Sequence, residues 1–122
     1  MISKRLAEIV SVIDGQCLAD IGCDHAYIAC QAVHDNRVSK AYACDIGSKP
    51  LENARQSIEE FSLQDKISCL LMDGLQGLPD DVDVVVIAGM GGKMIEQILQ
   101  EGNPGREIRY ILSPHRNTES LR

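Results

Sequence analysis

The sequence predicts an α/β fold: a doubly wound parallel sheet of five strands, in one domain spanning residues 1–122. Three observations carry that prediction. Short apolar runs alternate with stretches of helical periodicity, the pattern of strands joined by crossover helices. The first run, Cys17 to Ile21, is too continuously apolar to leave one face in water, which places it in the middle of a sheet covered on both sides. Three of the runs close on an aspartate, Asp20, Asp45 and Asp73, and glycine turns follow the first and the fourth, so the carboxyl ends of the strands are expected to form one acidic rim.

In chain order, residues 3–13 place Leu6, Ile9, Val10 and Ile13 on one helical face, with Asp14-Gly15 as the stop, and this helix is expected to pack onto the sheet. Cys17 to Ile21 reads as the first strand and Asp24 to His34 as the helix after it. Val38 to Asp45 is the second strand. Ser48 is the expected N-cap of the next helix, with Pro50 tolerated in its first turn and Leu51, Ala54, Ile58 and Phe61 forming its apolar stripe. Ile67 to Met72 is the third strand, ending at Asp73-Gly74, and residues 75–81 form a turn. Val82 to Ile87 is the most β-branched run and the best central strand. Ala88-Gly89-Met90-Gly91-Gly92 then turns into a helix over Lys93 to Gln100, capped by Gly102, and Ile108 to Leu112 is the fifth strand. No further strand follows before Leu121-Arg122, so the chain reads as a fragment of a longer protein.

Composition is that of an ordinary globule, with 44% apolar and 25% charged residues. No apolar run approaches ~18 residues, and Met1 to Arg5 leads into an amphipathic pattern without a cleavable apolar segment, so the cytoplasm is the expected compartment and no membrane partner is expected. The five cysteines, Cys17, Cys23, Cys30, Cys44 and Cys69, contain no C-x-x-C pair. They read as small buried side chains rather than a metal site, with Cys23, in the glycine turn, as the exception. A net charge of −6 argues against a broad electrostatic grip on nucleic acid, leaving only a local cluster drawn from Lys4, Arg5, Lys49, Arg55, Lys93, Arg116 and Arg122.

The acidic rim constrains the ligand. A dinucleotide site needs G-x-G-x-x-G, and here only Gly22 fits; Asp24 occupies the second glycine position, where a carboxylate repels a pyrophosphate. S-adenosylmethionine has no phosphate and presents a sulfonium, an ammonium, ribose hydroxyls and an adenine amino group, each of which can use a carboxylate. Asp45 follows Gly22 at close to the ~20-residue offset that reaches ribose hydroxyls, Asp73 is placed for the adenine amino group, and Gly22 and Cys23 let the backbone approach the methionine end, with Asp20 beneath. Alone, Asp24 reads as a helix N-cap, and Asp45 and Asp73 as loop residues that end strands. Gly89, Gly91 and Gly92 read either as a bare backbone against a flat base or as a tight turn. Three carboxylates on one rim favour the nucleoside-type cofactor.

Leu18-Ala-Asp-Ile-Gly-Cys-Asp-His-Ala-Tyr27, Asp73-Gly74-Leu75 and Ile87-Ala-Gly-Met-Gly-Gly92, together with Ser3-Lys4-Arg5-Leu6, resemble the bacterial TrmK family, whose members methylate N1 of adenosine 22 in tRNA. The resemblance covers essentially the whole chain. It implies a Rossmann-like class I methyltransferase core lacking its closing strands, with S-adenosylmethionine contacts at Gly22, Cys23, His25, Asp45, Ile46, Asp73, Gly74, Ala88, Gly89 and Met90, and Asp24 at the reaction centre. Ser113-Pro114-His115 departs from the family's Gln-Pro-Asn, the corner tied to base recognition, and the family's helical C-terminal domain has no counterpart here.

Adenine N1 carries its own lone pair, so the expected step is an in-line displacement helped by positioning and electrostatics. Asp24 is the expected catalytic carboxylate, stabilising the developing cation and accepting from the N6 amino group; His25 and Tyr27 are lesser candidates for contact, and Lys93 and Arg116 for phosphates. Two readings compete: a nucleotide-dependent Rossmann oxidoreductase, and a module that binds S-adenosylmethionine or S-adenosylhomocysteine without catalysis.

Overall fold

The structure, a computed structural model, describes residues 3–102 and 105–114. His115, Arg116 and Arg122, singled out above, lie outside the described residues. The element order is α1 (Lys4–Ser11), β1 (Cys17–Ile21), α2 (Tyr27–His34), β2 (Lys40–Asp45), α3 (Ser48–Glu60), β3 (Ile67–Leu71), β4 (Val84–Ala88), α4 (Gly92–Glu101) and β5 (Arg109–Ser113). All four strand pairings are parallel and the sheet order is β3-β2-β1-β4-β5. The chain therefore steps outward from β1 to β3, then returns to β4 on the other side. That reversal opens a crevice beyond the carboxyl ends of β1 and β4, where open α/β sheets hold their ligands.

The period of two along each strand sorts side chains to two faces. Leu18, Ala41, Ala43, Val84 and Val86 pack beneath the first three helices, with Ile9, Val10, Ala29, Val33, Leu51 and Ile58. Cys17, Ala19, Ile21, Cys44, Val85 and Ile87 face the other way, against Leu75, Val82 and Ile95. All five residues of β1 are buried, as its central place requires. Helix α1, capped by Ser3 Oγ accepting from the Leu6 N–H at 3.2 Å, packs chiefly against α2. Among the described residues no helix is long and apolar enough to cross a membrane.

Several expected boundaries move, each for a local reason. Helix α2 begins at Tyr27 rather than Asp24: Asp24 and Ala26 are left-handed (φ 51° and 60°), and the Ala26 N–H turns back to the Cys23 carbonyl at 2.7 Å. Asp24 is thus not the N-cap. Gly47, not Ser48, caps α3, because the Asp45 carboxylate accepts from the Gly47 N–H at 3.0 Å and holds the chain extended there. β4 starts two residues later than expected. Asp83 uses its carboxylate to accept the N–H groups of Gln16 and Cys17, fixing the entry to β1 instead of extending the strand. α1 stops at Ser11 and β2 starts at Lys40, while β3, α4 and β5 differ from expectation by a residue at their ends. Cys23 is buried with the other core cysteines instead of lying open in the turn.

Candidate functional site

Two cavities abut at the carboxyl ends of the strands, sharing Gly22. The first, of about 300 Å³, is lined by Asp20, Gly22, Cys23, Asp24, His25, Tyr27, Ala88 and Gly89, closed from the α1 side by Arg5 and Leu6. The second, of about 240 Å³, is lined by Asp45, Ile46, Asp73, Gly74 and Met90, with Ile21, Met72, Met94 and Ile98. Every residue that the sequence assigned to cofactor or catalysis lines one or the other. The three rim carboxylates are divided: Asp20 serves the first cavity, Asp45 and Asp73 the second. Among the described residues none of the three is spent in an ion pair.

The partition between the cavities is built by glycine. Gly22 is left-handed (φ +69°), and both its N–H and that of Cys23 donate to the Cys44 carbonyl, at 2.9 and 3.1 Å, pinning the turn onto β2. The Met90 side chain lies over it so closely that a Cβ on Gly22 would stand 2.1 Å from Met90 Cε. A side chain there is strained by φ and would have to push the Met90 terminus aside. Gly89 lines the first cavity with a left-handed φ of +78°, whereas Gly91 and Gly92 merely start α4.

The electrostatics differ sharply between the carboxylates. Asp20 is 3% exposed and, among the described residues, its one hydrogen-bond partner is the Ala29 N–H, at 3.3 Å. Burial pushes its carboxyl up to about 7, opposed by the Ala29 hydrogen bond and reinforced by Asp45. The Cys30 thiol is pushed up to about 12 and that of Cys23 higher still, chiefly by burial and then by Asp20. Both remain thiols, so neither is an activated nucleophile. Asp24, by contrast, is exposed, with His25 Nε2 4.0 Å away, and the His25 ring stacks on Tyr27 at 5.2 Å and 11°. In the second cavity the Asp45 backbone carbonyl accepts from Met72 N–H at 2.9 Å, while Ile46 and Met94 are largely exposed on either side.

The donor set fits a nucleoside with a charged, phosphate-free tail. Two carboxylates among aliphatic and thioether side chains suit hydroxyls and an amino group on an otherwise flat, apolar ring. A buried carboxyl with an arginine on the same cavity wall suits an ammonium beside a carboxylate. A pyrophosphate laid along the rim would meet only like charge.

Sequence reasoning missed the apolar wall of Met94 and Ile98, although the two stand four residues apart in α4 and so share a helix face. It took Arg5 only as a phosphate ligand; its place in the first cavity comes from contacts with β5, which no local pattern signals. Lys93 lines neither cavity, and Lys49 lies 3.8 Å from Glu52.

A family model described as a methyltransferase domain matches residues 2–122. The chain is 38% identical over 126 residues to the tRNA (adenine(22)-N(1))-methyltransferase of Bacillus subtilis, covering 99% of itself and 52% of that protein. Its fold superposes with a TM-score of 0.86 on M. capricolum TrmK in complex with S-adenosylhomocysteine, at 35% identity over 99% of this chain and 55% of the other. A Streptococcus pneumoniae protein in complex with S-adenosyl-L-methionine matches with a TM-score of 0.87 and 37% identity, over 99% and 59% of the two chains. The chain thus spans about half the length of the relatives it matches. With this fold, this rim and these relatives, the chain belongs to the methyltransferase-domain family, and it is similar to TrmK proteins over about half of their length.

Proposed function

We propose that this chain is the cofactor-binding and catalytic core of an S-adenosylmethionine-dependent methyltransferase acting on N1 of adenosine 22 in tRNA, in the cytoplasm. The observation that carries the reading is the acidic rim: Asp20, Asp45 and Asp73 line two joined cavities without protein counter-ions among the described residues. That is a site prepared for a cation and for hydrogen-bond donors. The M. capricolum and S. pneumoniae relatives, with S-adenosylhomocysteine and S-adenosylmethionine bound, support the same ligand.

The cofactor supplies a methyl group on a positively charged sulfur. The chain's own residues hold and orient. Asp45 and Asp73 take the nucleoside, with Ile46, Gly74 and Met90 around it. Asp20 takes the ammonium beneath the Gly22 turn, with Cys23 and His25 beside it, and Ala88 and Gly89 leave the backbone bare where the base approaches. Asp24 is assigned the catalytic role. It is not a helix cap, its carboxylate is exposed, and it shares the first cavity with Asp20, so it is free to accept from the adenine N6 amino group and to stabilise the ring as it becomes cationic.

Calorimetry of the chain with S-adenosylhomocysteine and with NAD separates this reading from an oxidoreductase, and the expected result is binding of the first alone. Incubation with S-adenosylmethionine and unmodified tRNA, with the methylated base mapped by a primer-extension stop, tests the activity. A stop at adenosine 22 is expected. Binding without transfer would identify a non-catalytic cofactor module, and binding of NAD in preference would overturn the proposal.

A further inference from the structure

In-line transfer to adenine N1 makes two demands on the base. The N1 lone pair lies in the ring plane, so that plane must contain the line from N1 to the methyl group, and the ring must also be turned correctly within it. A hydrogen bond from N6 to Asp24 fixes the turn and leaves the plane free to tilt. A flat surface beside Asp24 fixes the tilt, and bases that leave their stack find such surfaces on aromatic rings.

Aromatic rings are scarce in this chain: three tyrosines, one phenylalanine and no tryptophan. Phe61 and Tyr110 pack against the core on either face of the sheet, and Tyr42 Oη donates to the Asp81 carboxylate at 3.1 Å. Tyr27 does neither. It is 38% exposed, its hydroxyl has no hydrogen bond among the described residues, and it lines the first cavity. The His25 ring stacks on it at 5.2 Å and 11°, and His25 Nε2 is 4.0 Å from Asp24 Oδ1, so parallel rings begin at the Asp24 carboxylate. Ala26 between them is fully buried at a left-handed φ of 60°, and both its neighbours are exposed. Gly89 lines the same cavity with nothing within 4 Å of its Cβ position, which leaves room for a flat ring.

We infer that the target adenine stacks on the His25–Tyr27 ring pair, which sets the plane of the base while Asp24 sets its rotation. The inference rests on the methyl-transfer reading above and adds to it the surface that orients the substrate.

The test compares two RNAs on the chain saturated with S-adenosylhomocysteine: unmodified tRNA, and the same tRNA with an abasic site at the target position, each Kd read by filter binding. Wild type is expected to bind the abasic RNA about 5- to 100-fold more weakly, the range for one base on an aromatic ring. Tyr27→Phe keeps the ring and is expected to keep that preference. Tyr27→Leu keeps apolar bulk without a flat face and is expected to bind both RNAs alike, at the weaker level. Calorimetry is expected to give both variants the wild-type affinity for S-adenosylhomocysteine. Wild type without a preference would overturn the inference, as would a Tyr27→Leu chain that keeps the preference or weakens both RNAs by one factor. A fall in S-adenosylhomocysteine affinity in Tyr27→Leu would place the ring on the cofactor and overturn it too. Wild type that binds S-adenosylhomocysteine and neither RNA would overturn the tRNA reading, and the inference with it.

Discussion

Replacing Asp20 with asparagine isolates the charge beneath the Gly22 turn. In the unfolded chain an aspartate titrates near ~3.9, whereas burial holds Asp20 near about 7 in the fold. As pH falls, the native state therefore takes up this proton first. The associated stability is fully present below about pH 4 and is lost as pH rises through about 7, by up to about 4 kcal/mol at ~1.36 kcal/mol per pKa unit. Asparagine has nearly the same shape, keeps an oxygen for the Ala29 N–H and never ionises. Urea unfolding followed by circular dichroism from about pH 4 to about pH 8 should find the two chains separated by a constant offset near about pH 4, with Asp20→Asn gaining up to about 4 kcal/mol on wild type by about pH 8. Asp35 and Asp81, held low chiefly by hydrogen bonds from His34 and Lys40, push stability in the opposite sense as acid is added. They are present in both chains and cancel in the difference. An unfavourably buried amide N–H₂ shifts the offset without giving it a slope. A difference that stays flat across this range would refute the claim that Asp20 is held neutral by its surroundings.

Gly22→Ala must adopt a left-handed φ, at about 1–2 kcal/mol, and must displace the Met90 terminus into the second cavity. Urea unfolding should show that modest loss, while calorimetry shows S-adenosylhomocysteine binding weakened more than about 10-fold, the equivalent of ~1.4 kcal/mol; adding Met90→Ala should restore part of the affinity and none of the backbone cost. Asp24→Asn should leave that affinity within about 2-fold and depress single-turnover methylation of tRNA by about 10²- to 10³-fold, the usual range for one electrostatic group at a reacting centre; retained turnover would strip Asp24 of its role. Leu18→Ala, at a fully buried position between β2 and β4, should cost about 2–5 kcal/mol by urea unfolding.

The strands were legible because a covered parallel sheet leaves a strong trace: unbroken apolar runs ending in punctuation. Cys17–Ile21 reads identically in sequence and structure. The errors gather where side chains override propensity. Asp24 has the right chemistry for an N-cap, yet Ala26 is packed with no exposure and the chain reaches α2 through a turn with two left-handed residues. Helix propensity carries no information about that. Ser48 looks like a cap until Asp45, from the strand before, satisfies the Gly47 N–H. Asp83 looks like part of a β-branched strand, but its carboxylate is engaged by the backbone of Gln16 and Cys17, 67 and 66 residues away. The site followed the same rule. Residues at strand ends could be grouped because the topology brings those ends together; the place of Arg5 in the first cavity could not be read because it depends on β5, at the far end of the described chain.

The rim aspartates are alike in sequence and unequal in the fold. Asp45 turns an oxygen to the Gly47 N–H and stays partly open to solvent, so its direction is set by the backbone. Asp20 has, among the described residues, only the Ala29 N–H and almost no exposed surface, so near neutral pH it is divided between carboxyl and carboxylate. A cation arriving in the first cavity favours the charged form and draws the proton off. On the cofactor reading proposed above, Asp20 is a charge produced on demand: the empty fold avoids much of the cost of a buried anion, and the loaded one gains a pair. This explains how β1 can be fully buried and still carry an acid beside its last residue, Ile21.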